Sequence, residues 1–231
     1  MACSNRYNSE LVTVSPSYPI GIFGGTFDPI HYGHLRAACE ILNIIQLGEI
    51  RFLPCGNPSH RKLTLADSET RLRMVNAAIK EHKNFVIDDR EVRRKELSYS
   101  IDTLTSLRED YRDISLCLII GMDAFICLHK WHRWEEILNF SHIIVVDRPG
   151  CNLPNSGLLN NLIRDKGTKN IRKLHDLTHG FIYVQAVTQM DIASTKIREL
   201  ATKGINLQFL VPEAVIDIIK EENLYMSEMN E

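Results

Sequence analysis

The stretch IGIFGGTFDPIHYGH, Ile20 to His34, runs on into LRAACEILNIIQ, residues 35–46, and its reading decides the fold. Ile20-Gly21-Ile22-Phe23 is a short apolar run that Gly24-Gly25 ends, as a strand leaving a core does. After an Asp28-Pro29 turn, Leu35, Ala38, Cys39, Leu42 and Ile45 recur at helical spacing, which predicts a helix over 33–46. The order is therefore strand, glycine loop, helix. Glycine lets backbone pass close to a ligand, and the free amides at a helix start favour an anion. His31 and His34 stand at that start, with Gly33 between them. Two imidazoles at this spacing can converge on one phosphate, each as a hydrogen-bond donor, and a protonated one adds charge. The segment is neither GxGxxG nor a loop ending GK[ST], so a dinucleotide oxidoreductase or a P-loop NTPase is disfavoured.

The pattern repeats along the chain. Residues 50–54, 85–88, 115–120, 142–146 and 181–184 are apolar runs of strand length. Between them lie helical patterns: one from Asp67, a good N-cap with Glu69 in the first turn, to about His82; one from Ser98-Tyr99-Ser100 to Tyr111; one over 133–140; and partly helical sequence over 158–177. Residues 195–203 and 212–223 predict two C-terminal helices. The Pro-, Gly- and Asn-rich residues 148–161 predict a loop. Alternation of strands and helices implies an α/β chain with a doubly wound, mainly parallel sheet, which binds ligands beyond the carboxyl ends of its strands. No internal repeat or linker divides the chain, so residues 19–231 are expected to form one domain behind a poorly ordered extension, 1–18.

Totals narrow the class. A chain of 231 residues with 44% hydrophobic and 24% charged residues suits a globular domain with a full core. A net charge of -2 argues against a general nucleic-acid binder, which is usually basic. No apolar run approaches the roughly 20 residues that span a bilayer, and the N-terminus has no signal-peptide core. Six scattered cysteines, with no CxxC, are expected to be reduced thiols and not a metal site. These readings place the chain in the cytoplasm, away from membranes, and leave a homo-oligomer open.

A second constellation is MDIASTKIREL, residues 190–200. Ser194 and Thr195 sit where a helix would start, and Arg198 follows within a turn. Hydroxyls, helix amides and a guanidinium facing one place could cradle a triphosphate or a departing pyrophosphate. Alone, this is equally an ordinary capped helix.

GGTFDPIHYGH resembles the signature of the HxGH nucleotidyltransferase superfamily, and closely that of nicotinate-nucleotide adenylyltransferases. The resemblance implies a Rossmann-like α/β fold. It implies that His31 and His34 contact the ATP phosphates and stabilise the transition state, with Gly24, Gly25, Thr26 and Phe27 along the nucleotide. Residues 192–198 are similar to the family's IS[ST]TxIR. Ile192, Thr195, Ile197 and Arg198 match, while Ala193 stands in place of the first serine and Ser194 follows it. Arg198 would join the two histidines as a catalytic group, and Ser194 and Thr195 would bind ATP.

Three further segments bear on the adenylyl acceptor. Residues 54–62, PCGNPSHRK, are similar to PxxxPPH[KR], with Ser59 in place of the second proline. His60 and Arg61, with Lys62, could neutralise substrate phosphates, or form a solvated basic loop. Glu91-Val92-Arg93-Arg94 with Ser98-Tyr99-Ser100 and Thr103-Leu104 resembles E[LIV]xR…SYTxxTL, which implies a mononucleotide pocket formed in part by Tyr99 and Ser100. Ile119-Ile120-Gly121-Met122-Asp123, then Trp131, resembles IIGxD…W. Asp123 would accept from ribose hydroxyls, Gly121 would allow close approach, and Trp131 would face the pyridine ring or simply fill core. Together these imply transfer of AMP from ATP to nicotinate mononucleotide, giving deamido-NAD and pyrophosphate. Mg²⁺ is expected to accompany ATP through phosphate oxygens and water, with no protein ligands. Two rivals stay open: another acceptor, nicotinamide mononucleotide or phosphopantetheine, and a noncatalytic nucleotide-binding sensor.

Overall fold

The computed structural model of the chain describes residues 18–58, 64–147, 156–188 and 190–226. Six strands form one sheet: β1 (Ile20–Gly25), β2 (Glu49–Pro54), β3 (Phe85–Ile87), β4 (Leu116–Gly121), β5 (His142–Asp147) and β6 (Ile182–Ala186). Their order is β3-β2-β1-β4-β5-β6 and every pairing is parallel. The order reverses between β1 and β4, which makes that edge-to-edge pair the switch point of a doubly wound sheet.

Helices α1 (Tyr32–Ile45), α2 (Ser68–Ile79), α3 (Arg90–Arg93), α4 (Ser100–Asp110), α5 (Met122–Ile126), α6 (Leu158–Lys166), α7 (Arg172–Asp176), α8 (Ser194–Thr202) and α9 (Glu213–Glu221) complete the described layers. Side chains alternate across each strand. Cys117 and Ile119 of β4 therefore belong to the core cluster that also holds Ile41 of α1, Met74 of α2, Ile197 of α8 and Val215 of α9. Leu116, Leu118 and Ile120 face the other way, against Leu104 and Leu107 of α4, Phe125 of α5 and Leu159 of α6. Residues 116–120 are buried without interruption, as a parallel strand covered on both faces requires.

Several expectations need correction. β1 does not stop before the glycines; it pairs with β2 as far as Gly25 and Pro54, because a ladder needs backbone and not side chains. The segment 133–140 forms a 3-10 stretch, Trp134–Asn139, entered through Arg133 in the left-handed region at φ 49°. A second 3-10 turn, Leu128–Lys130, precedes Trp131. The charged stretch after β3 holds a short helix, α3, which its polarity concealed. Asp67 does cap α2, accepting from the Thr70 amide at 2.7 Å. Pro212 is the residue before α9 and not inside it. The sheet is wholly parallel among the described residues. Of the extension expected over 1–18, Tyr18 alone is described, exposed beside Gly48; the rest lies outside the described residues, as do residues 148–155 of the expected loop.

Candidate active site

The sheet opens where the order reverses. The β1–β4 ladder ends at Phe23 and Ile119, while β1 keeps β2 to Gly25 and β4 keeps β5 to Gly121. Gly24-Gly25 and Ile120-Gly121 therefore continue past the β1–β4 ladder at the carboxyl ends of the strands, where a doubly wound sheet has its ligand crevice. Gly24 faces it with nothing within 4 Å of where a Cβ would stand.

His31 is the N-cap of α1, in extended conformation, and His34 is in its first turn. Their rings stack at 3.7 Å between centroids. Gly33 is what allows this: a Cβ there would stand 3.0 Å from both Cε1 and Nδ1 of His31. His31 is 5% exposed, and burial pulls its pKa from 6.5 down to about 4. It is neutral near pH 7, so the charge at this point must come from elsewhere. Its Nδ1 is buried without a hydrogen-bond partner among the described residues. Phe27 turns the loop at φ 50°, a left-handed conformation that costs an L-residue roughly 1–2 kcal/mol. Its ring is buried edge-on to His34 at 5.2 Å and against Phe23 and Phe52, which holds the turn.

The second constellation reaches the first. The Ser194 hydroxyl, at the start of α8, donates to the Pro29 carbonyl at 3.0 Å. Arg198 Nη1 donates to the Asp28 carbonyl at 2.6 Å, and Nη2 to Thr195 Oγ1 at 3.4 Å. The N-cap of α8 is Ala193, with no side-chain cap, so the serine expected there by resemblance has no counterpart; the Ser194 hydroxyl serves as a tie between the segments instead. A charged guanidinium is thereby joined to the loop that carries a neutral, buried histidine.

On the other side of the switch point, Asp123 is exposed in the first turn of α5. Gly121 makes its position possible, since a Cβ would lie 2.6 Å from Asp123 Oδ1. Tyr99 and Ser100 begin α4, and the Tyr99 ring meets that of His132 at 4.5 Å. This brings the start of α4 to the 131–132 turn. Trp131 is half-buried against the core cluster that includes Leu104 and Phe125, so part of the indole fills core and part stays accessible. Tyr99–Ser100 also joins the loop after β2, because the Ser98 amide donates to the Asn57 carbonyl at 2.8 Å. His60 and Arg61 lie outside the described residues.

Two groups that hold these pieces together, the Arg71 guanidinium and the Asp28 carboxylate, have no role in the sequence reading, whereas Glu91 and Thr103 stand in the E[LIV]xR…SYTxxTL block. Arg71 of α2 is fully buried; its guanidinium donates to the carbonyls of Thr26 at 2.7 Å, Gly56 at 3.1 Å and Ala66 at 3.2 Å. Burial lowers its pKa from the ordinary arginine value. One signal was present: Arg71, Met74 and Val75 share a helical stripe, so the arginine stands in an apolar row. Asp28 is 5% exposed, and its carboxylate accepts from the amides of Leu65 at 2.9 Å and Ala66 at 3.3 Å and from the Tyr225 hydroxyl at 2.6 Å. Glu91 is buried on α3 and accepts from the Thr103 hydroxyl at 2.7 Å; burial raises its pKa.

A doubly wound parallel sheet with two histidines, hydroxyls and an arginine at its switch point has the make-up of a nucleotide-phosphate enzyme. The family model described as Cytidylyltransferase-like matches residues 22–200, most of the chain. A protein of Methylococcus capsulatus named "Probable nicotinate-nucleotide adenylyltransferase" is 44% identical over 89% of this chain and 99% of its own length. One of the same name from Aeromonas hydrophila is 40% identical over 90% of this chain and 97% of its own. Among solved structures, the Plasmodium falciparum nicotinic acid mononucleotide adenylyltransferase complexed with NaAD matches with a TM-score of 0.70 over 90% of this chain and 97% of that one, at 21% identity, a likeness of fold. The chain belongs to the nicotinate-nucleotide adenylyltransferase family of cytidylyltransferase-like enzymes.

Proposed function

We propose that the crevice between β1 and β4 is the active site for transfer of AMP from ATP to nicotinate mononucleotide, giving deamido-NAD and pyrophosphate in NAD biosynthesis. The observation that carries this reading is the joining of the His31–His34 segment to α8, Arg198 donating to the Asp28 carbonyl and Ser194 to the Pro29 carbonyl, in a chain of this family. The acceptor's phosphate oxygen attacks the α-phosphorus, its bond to pyrophosphate breaks, and pyrophosphate leaves. A phosphate monoester has a second pKa of roughly 6, so the nucleophile is already an anion near neutral pH and needs no strong base. Catalysis then rests on positioning and on stabilising charge.

In this reading His31 and His34 donate hydrogen bonds to phosphate oxygens. His31 does so as a neutral imidazole, and Arg198 supplies the positive charge. Gly24, Gly25, Thr26 and Phe27 lie along ATP on the β1 side. Gly121 and Asp123 meet its ribose on the β4 side, and the backbone amides of Ser194 and Thr195, with the Thr195 hydroxyl, complete the phosphate cradle at the start of α8. Tyr99, Ser100 and the accessible part of Trp131 hold the mononucleotide, and His60 and Arg61 approach its phosphate. Mg²⁺ would accompany ATP through the triphosphate oxygens and water. No helix of the described residues is long and apolar enough to cross a membrane.

Pyrophosphate release with ATP and each of three acceptors tests the reading. Nicotinate mononucleotide should give the highest kcat/KM, above nicotinamide mononucleotide and phosphopantetheine. If it is the poorest of the three, the acceptor assignment is wrong; release with none of them points to a nucleotide sensor.

A further inference from the structure

Tyr225 is near the C-terminal end of the chain, 197 residues from Asp28, yet its hydroxyl donates to Asp28 Oδ1 at 2.6 Å. Its ring is 7% exposed. At the other end of the same residue, its carbonyl accepts from Thr202 Oγ1 at 2.9 Å. Thr202 closes α8, one turn after Arg198, and its single hydroxyl proton is shared between the Tyr225 carbonyl and the Arg198 carbonyl, also at 2.9 Å. Arg198 in turn donates to the Asp28 carbonyl. The bonds make a closed circuit: Asp28 to Tyr225, Tyr225 to Thr202, α8 back to Arg198, and Arg198 to Asp28. Asp28 stands three residues before His31, so the circuit spans both constellations.

We infer that Tyr225 is a positioning residue, which sets the distance and rotation of Arg198 against His31 and His34 without touching substrate. This rests on the phosphate roles proposed above for those three side chains. The geometry supports it in two ways. A nearly buried carboxylate needs its donors, and Tyr225 supplies the shortest of the three hydrogen bonds it accepts. Burial also pushes the phenol well above its ordinary pKa, which keeps it a donor. The chain does not arrive there by running on from α9: Asn223 and Tyr225 are left-handed, at φ 50° and 61°, conformations that L-residues adopt at a cost. At 223–225 the chain turns back toward Asp28.

A tyrosine that only stabilises the fold would lower activity and melting temperature together, whatever stands at Arg198. A positioning residue acts through Arg198, and a double-mutant cycle separates the two. Tyr225→Phe keeps the buried ring and removes the hydroxyl. In the full chain it should lower kcat about tenfold, with KM for ATP within about twofold and melting within a few degrees of wild type. In an Arg198→Lys background, where the guanidinium fork is already lost, it should cost less than about twofold more. Thr202→Val, at an exposed position, cuts the other end of the circuit and should show the same coupling, which serves if Tyr225→Phe does not fold. Wild-type kcat in both variants overturns the inference, and so does a loss that multiplies in full onto that of Arg198→Lys. A wild-type chain that transfers nothing to nicotinate mononucleotide overturns the functional reading and this inference with it; a transferring chain whose Tyr225 is uncoupled from Arg198 overturns this inference alone.

Discussion

His31 and Gly33 act as a pair, because the imidazole lies across the place where any other residue at 33 would put its Cβ. Gly33→Ala therefore sets two effects against each other. Alanine favours a helix over glycine by up to about 1 kcal/mol, so α1 should hold or gain stability. The 3.0 Å contact with Cε1 and Nδ1 must be relieved, and the ring stacked on His34 is what moves. We expect kcat to fall on the order of tenfold while the melting temperature stays level or rises. Steady-state kinetics beside a thermal melt checks this, and an unchanged kcat would mean that the ring has room to spare. The same scale shows what composition could not. Two histidines at a helix start predict phosphate contact, but nothing local predicts that burial leaves His31 neutral. That burial is set by how the loop before α1 packs, with the His34 ring stacked on the imidazole.

Between elements, Arg71 is the joint. From α2 it reaches the loop after β1 through Thr26, the loop after β2 through Gly56, and the approach to α2 itself through Ala66. Replacing it by Met leaves three inward carbonyls without their donor, each worth about 1 kcal/mol or more when buried. Arg71→Met should thus destabilise the fold by roughly 3 kcal/mol and lower activity beyond what unfolding accounts for. Arg71→Lys keeps the charge but cannot offer the planar fork to three acceptors, so it should fall between the two. Denaturant titrations of both variants, with kcat measured well below their midpoints, test the order. Wild-type stability in Arg71→Met would show that the carbonyls find other partners. The position reads as an arginine in an apolar stripe, so it could be suspected from sequence. Its three acceptors could not, since they lie 5, 15 and 45 residues away.

For the whole molecule, two buried histidines make the fold sensitive to acid. His142, fully buried at the start of β5, has Nε2 against the Leu177 carbonyl at 2.8 Å and accepts at Nδ1 from the Phe181 amide at 3.1 Å. That pairing requires the neutral ring, and burial takes its pKa to about 4, as it does for His31. Both folded values lie below the unfolded value near 6.5, so as pH falls the unfolded chain takes up protons first. Stability is unaffected by these groups above about pH 6.5 and is lost as pH falls toward about 4, by on the order of a few kcal/mol for the two together. Unfolding free energies measured at about pH 7 and about pH 5 should differ in that direction; equal values would show that these rings are charged when folded. The sequence by itself determined the alternation of strands and helices, the phosphate-binding start of α1, the helix start at Ser194 and the family. Each of these is written in local spacing, or in a motif of about ten residues. Only the tertiary structure decided that the β1–β4 ladder ends at Phe23 and Ile119, that Arg198 bonds to the Asp28 carbonyl, and that Tyr225 closes the circuit. Those contacts join residues far apart in the chain, and no periodicity or propensity encodes a partner that distant: it is chosen by how the whole core packs.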